Sequence, residues 1–259
     1  MTFTKHCVSI LFFFLVAATT YAQESDRQLI EMMVHHFRND ESAAKFDRMM
    51  EAAVLPIAKE KGIGPIGVFK IIESEVWDSN DRITITSYDS MADKLSLNEA
   101  FVSDPGFWDK AKDYLMQEKG DPATDRIEKM LFQSFKGMPQ LKVPGQAGDS
   151  PRRFELRTYK SENEVQGKLK VQMFNEGELD LFKKSGLRPI FFGEGVAAGD
   201  LPQLTYMLVH ENKQAQDETW KKFIDDPAWK SLKSEEQYQV IKLKITKSFL
   251  EATSYSQIR

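Results

Sequence analysis

The chain has 259 residues and a formal net charge of −4, with 35 Lys and Arg against 39 Asp and Glu. So even a balance offers no basic excess, and nucleic acid is not an expected partner. The single cysteine, Cys7, lies in an N-terminal segment expected to be removed, which excludes disulfides, cysteine-ligated metals and thiolate nucleophiles from the mature chain.

In that segment Lys5 and His6 precede the apolar run Cys7 to Ala18, and small residues follow near Thr20 and Ala22. This order reads as a secretory signal peptide over residues 1–22. The run has 12 residues, short of the roughly 20 that span a bilayer. A secreted or periplasmic protein, free of the membrane after cleavage, is expected. About 237 residues then remain, enough for one large or two ordinary domains.

The first domain is read over 23–136. Ile30 to His36 is a strand. Phe46, Met49, Met50, Ala53, Val54 and Ile57 then form the inward stripe of a helix that Pro56 kinks and Gly62 ends. "GIGPIG", Gly62 to Gly67, matches G-x-G-x-x-G by letter. A helix precedes it and a strand follows, however, and Pro65 removes a backbone donor, so it is not read as a dinucleotide loop. Arg82 to Tyr88 is a strand. In "FVSDPGF", Phe101 to Phe107, Asp104 caps a helix and Pro105 takes its first position. Glycine and proline then crowd residues 137–151, which reads as a linker.

The second domain is read over 152–259. Phe154 to Tyr159 alternates as a strand, Ser161 and Glu164 form a capping box, and Val165, Leu169, Met173, Gly177 and Leu181 recur as an inward stripe. Gly186 stops that helix in the left-handed conformation. "GEGVAAG", Gly193 to Gly199, reads as a hairpin turn before the strand Leu204 to His210. In "FIDDPAW", Phe223 to Trp229, Asp226 and Pro227 repeat the helix start, and Trp229 is read as packing.

The two phrases lie 122 positions apart, and upstream the offset becomes 124, setting Glu155 on Glu31, Gly186 on Gly62 and Pro189 on Pro65. One unit of about 110 residues is thus read twice. Its order, strand-helix-strand-strand-helix-strand, is the ferredoxin-like βαββαβ unit, whose helices cover one sheet face. The expected class is α+β, with the two uncovered faces buried on each other inside one chain. A monomer with an internal pseudo-dimer follows, and higher oligomers stay open.

"FELRTY" (Phe154 to Tyr159), "LTYMLVH" (Leu204 to His210), "WKKFIDDPAW" (Trp220 to Trp229) and "FLEATSYSQIR" (Phe249 to Arg259) together resemble the NIPSNAP family over the whole second copy. The first copy departs from the family's E-L-R-x-Y strand by carrying Met33 and His35. The resemblance implies the dimeric α/β barrel, here intramolecular, and an undefined activity. Cofactor-free monooxygenases and haem-degrading enzymes share that barrel, by analogy of fold only.

Period-two alternation puts Glu155, Arg157 and Tyr159 on one strand face and Tyr206 with His210 on another, and Tyr255 is placed on the last strand. Arg157, Tyr159, Tyr206 and Tyr255 are the candidate ligand-binding residues, and His210 or Glu155 the candidate general base. The competing reading is a satisfied buried network. His35 and His36 face opposite sides and cannot share an ion. No metal spacing, G-x-S-x-G elbow or phosphate loop supports a metal, a cofactor or a serine nucleophile, although ligands converging from distant strands stay open. Two functions remain: a non-catalytic or small-ligand-binding module, and a cofactor-independent monooxygenase or isomerase of an aromatic or carbonyl compound. The enzyme reading requires Arg157, Tyr206 and His210 to line one cavity.

Overall fold

The computed structural model describes residues 26–117, 122–145 and 150–259. The expected signal peptide and Cys7 lie outside them. Among the described residues eight strands are β1 Leu29–His36, β2 Ile66–Ser74, β3 Arg82–Tyr88, β4 Arg126–Ser134, β5 Arg153–Ser161, β6 Arg188–Ala197, β7 Gln203–His210 and β8 Leu243–Ala252. They close a mixed α/β molecule's central barrel in the order β1-β3-β2-β8-β5-β7-β6-β4, each neighbouring pair antiparallel. The chain's first half supplies the arc β4-β1-β3-β2 and its second half the arc β8-β5-β7-β6. Two seams join the arcs: β2 on β8 and β4 on β6.

Alternation decides what enters the barrel. Ile30, Met32, Val34, Phe154, Leu156 and Met207 are at most 2 % exposed and share one core inside it. Phe69 of one arc meets Phe154 of the other with ring centroids 5.0 Å apart. Each such side chain contributes about 1.5–3 kcal/mol by leaving water. The outer faces carry two further apolar clusters, one per half, under the helices.

Those helices are α1 Asp40–Met49, α2 Leu55–Glu60, α3 Met91–Ser103, α4 Pro105–Leu115, α5 Glu164–Met173, α6 Leu179–Ser185, α7 Lys213–Asp225 and α8 Pro227–Lys233. Their starts follow local chemistry. Asn39, Ser90 and Asn212 accept bonds from amides three residues on, and before Pro105 and Pro227 the side chain of Asp104 accepts from Gly106 N and Phe107 N and that of Asp226 from Ala228 N. Gly186, at φ 84°, ends α6 as expected. Wide π-helical turns, Met50–Val54 and Phe174–Glu178, join α1 to α2 and α5 to α6. The irregularity expected at Pro56 therefore lies just before it, and Pro56 sits in the first turn of α2.

Three local expectations are corrected. The cap of α5 is Asn163, whose side chain accepts from Gln166 N, and not Ser161, which ends β5. The inward stripe of α5 contains Gln166 and Lys170, while Val165 is exposed. Gly193 to Ala197 is strand, since β6 runs on to pair with β4. A side chain at Gly193 would put its Cβ 2.6 Å from the Phe132 Cβ, so the close approach of β6 to β4 requires glycine there. Beyond β4 the chain stays pinned: Gly137 N donates to Asn175 Oδ1 and Lys142 N to Ile190 O.

Candidate functional site

On the outer face of β5 alternation projects Glu155, Arg157 and Tyr159 toward α5 and α7. Glu155 is fully buried. Its Oε1 accepts from Arg157 Nε at 2.6 Å, and its Oε2 accepts from His210 Nε2 at 3.1 Å, Gln216 Nε2 at 2.9 Å and Trp220 Nε1 at 2.7 Å. A carboxylate only accepts, so His210 carries its proton on Nε2. Burial by itself would raise the Glu155 pKa. The His210 bond and the Arg157 charge outweigh burial, and the carboxyl is held at about 2.

Tyr206, opposite Arg157 on β7, is fully buried. Its hydroxyl shares a 2.9 Å bond with that of Tyr159, and its ring stacks on Phe192 at 4.7 Å. Burial raises both phenols above their ordinary range. Lys170 of α5 reaches Glu178 in the π turn at 2.5 Å, both nearly without exposure. Burial pushes the Glu178 carboxyl up against the pull of Lys170.

Beside this network a cleft of about 660 Å³ opens between the outer faces of β5 and β8, α5 with its π turn, and α7 with α8. That is within the roughly 300–1,000 Å³ of small-molecule sites. Trp220, Trp229, Leu243 and Ile245 give apolar wall, and Arg157, Tyr159, Lys170 and Lys247 give polar wall. The Arg157 guanidinium lies 3.7 Å from the Trp220 ring centroid. Trp229 packs on Phe223 at 4.6 Å and also lines the cleft, so the packing read from its sequence is only part of its place.

Of the sequence candidates, Arg157, Tyr159 and Glu155 line the cleft, whereas Tyr206 and His210 lie behind it. Arg157, Tyr206 and His210 therefore do not line this cleft together. Tyr255 is not on a strand: β8 ends at Ala252, and the Tyr255 hydroxyl donates to Asp47 Oδ1 at 2.6 Å in the first half. Among the described residues no histidine lines the cleft: His35, His36 and His210 all lie outside its lining. Sequence reasoning missed Lys170, Glu178, Gln216, Trp220 and Lys247. Gln216 and Trp220 do carry a signal, two donors four apart on one helix face.

The first half treats the same positions differently. Glu31 is buried and bonded to Lys94 and, at 3.4 Å, to the Tyr88 hydroxyl. Met33 stands where Arg157 does, and Phe46 and Val54, both in the apolar cluster, stand where Lys170 and Glu178 do. His35, held down to about 3 by burial and by the charge of Lys129, is a neutral imidazole against the Phe46 ring at 4.4 Å.

The closed antiparallel barrel defines the structural class, and solved structures of similar fold exist. The chain is similar to a candidate monooxygenase from Lactobacillus acidophilus NCFM, at 9% identity and TM-score 0.56 over 86% of this chain and 94% of that one. A second candidate monooxygenase, from Fusobacterium nucleatum, gives 9% and 0.54 over 87% and 92%. An anthrone oxidase-like protein gives 14% and 0.50 over 88% and 92%. At these identities the likeness is one of fold alone. No curated protein sequence matches the chain. Residues 154–257, in the second half of the chain, match the NIPSNAP family model.

Proposed function

We propose that this is an exported, non-catalytic protein whose second half binds a small, largely apolar molecule in the cleft between β5, β8 and the helices. The observation that carries this reading is the cleft itself, an aromatic-walled space of about 660 Å³ in a chain whose first half fills the matching helix positions with Phe46 and Val54. Conversion of the ligand has little support. Glu155 accepts four hydrogen bonds and is held at about 2, far too weak a base for neutral pH, and His210 does not reach the cleft. The monooxygenase or isomerase reading asks for Arg157, Tyr206 and His210 together, and of these Arg157 alone lines this cleft.

The scaffold is read as two tandem ferredoxin-like units from one duplication, paired within a monomer. Strand order matches between the arcs. Asn39 and Asn163 caps, the two π turns, and Gly62 and Gly186 at positive φ all recur at an offset of 124.

The test is fluorescence titration of the full chain with the neutral apolar probe N-phenyl-1-naphthylamine. Saturable binding to the wild type is expected, weakened at least about tenfold by Ile245→Arg, which sets an unpaired charge in the apolar wall. Equal binding by both proteins would remove the cleft from consideration.

A further inference from the structure

On the cleft floor Arg157 and Lys247 are direct cross-strand neighbours of β5 and β8, and their side chains share the outer face. Such neighbours sit about 5 Å apart, and two like charges there repel. The carboxylate that bonds Arg157 is Glu155, whose Oε1 takes Arg157 Nε and whose Oε2 is already taken by three donors. Lys247 makes no ion pair and no side-chain hydrogen bond among the described residues. Elsewhere in the cleft Lys170 is answered by Glu178 and Lys213 by Asp217. Lys247, on the same strand as Leu243 and Ile245, thus keeps an uncompensated charge beside Arg157, and Lys233 of α8 is the other lining cation with no ion pair among the described residues. The first half avoids this arrangement. There Met33 faces Lys129, and Lys129 has Glu31 at 3.9 Å.

Repelling cations held together on a partly buried floor are a preformed receptor for an anion, since an anion removes the repulsion and gains charge-assisted bonds. We propose that Arg157 and Lys247 bind the acidic head, carboxylate or phosphate, of an amphipathic ligand whose apolar part lies along Leu243, Ile245 and Trp229. This rests on the reading of the cleft as a ligand site and adds the ligand's chemical class.

The experiment displaces N-phenyl-1-naphthylamine from the full chain with dodecanoate, dodecyl phosphate and dodecanol, for wild type and Lys247→Ala. The Lys247 side chain holds no partner among the described residues, so the variant keeps the fold, which its thermal midpoint verifies. At least one of the two anions is expected to displace the probe about tenfold better than dodecanol, with that advantage lost in Lys247→Ala and raised salt weakening the anions alone. The better anion names the head group. Equal displacement by all three, or an anion advantage untouched by Lys247→Ala, overturns the anion subsite while leaving the cleft as an apolar site. Failure of the probe to bind wild type overturns both.

Discussion

Glu155 has no solvent exposure, and four side chains from β5, β7 and α7 donate to it, so the second half is assembled around an ionised carboxylate. Its folded pKa of about 2 lies below the ordinary 4.5. A depressed acid contributes stability that is complete above the unfolded value and is lost as pH falls through the folded one. The shift corresponds to about 3 kcal/mol at neutral pH. Glu155→Gln is therefore expected to lower unfolding free energy by about that much at pH 7, measured in urea. The gap between the two proteins should shrink by about half at pH 3, since the unfolded wild type, unlike the variant, takes up a proton at this position below the ordinary value while the folded carboxylate stays mostly ionised. A gap constant between pH 7 and pH 3 would mean that the carboxylate is not ionised in the folded chain.

At the scale of elements, the π turn after α5 brings Glu178 back over Lys170, and such turns occur often at functional sites. A buried ion pair seldom stabilises more than an apolar pair of similar size, whereas breaking it is costly. The first half shows the apolar alternative in Phe46 and Val54. Lys170→Met alone should cost about 3 kcal/mol by leaving Glu178 unpaired. The double variant Lys170→Phe with Glu178→Val, which copies the first half, should melt no lower than wild type and lose probe binding. A double variant as weak as the single one would make the pair a stability element. Period two set Glu155, Arg157 and Tyr159 on one face correctly, because a strand's alternation needs no tertiary information. The stripe of α5 came out one residue off in its first two turns, while Met173 is buried as expected. Its inward positions Gln166 and Lys170 are polar, so an apolar template selects the exposed Val165 instead. Tyr255 was misplaced for another reason: the chain leaves β8 at Ala252 and crosses onto the first half, a path that only tertiary packing decides. His210 was legible as a neighbour of the cluster but not as a donor hidden behind it.

Closure is the property of the whole molecule. Every one of the eight strands has two strand neighbours, so the barrel offers no free edge for another chain to extend. The halves meet along β2–β8 and β4–β6 and share the interior core, Phe69 on Phe154 among its contacts. Pairing of the halves inside one chain saturates both seams at once, and a monomer in sedimentation is the expected state. The β4–β6 seam depends on Gly193, which is paired with Ser134 and lies where a Cβ would strike Phe132. Gly193→Val should cost about 1–3 kcal/mol by forcing these strands apart, a fall of roughly 2–4 °C in Tm per kcal/mol. Opening that seam also exposes the edges of β4 and β6, so the variant should associate as its concentration rises while wild type stays monomeric. A wild type that sediments as a dimer, with Gly193→Val no different, would mean that each barrel closes between two chains.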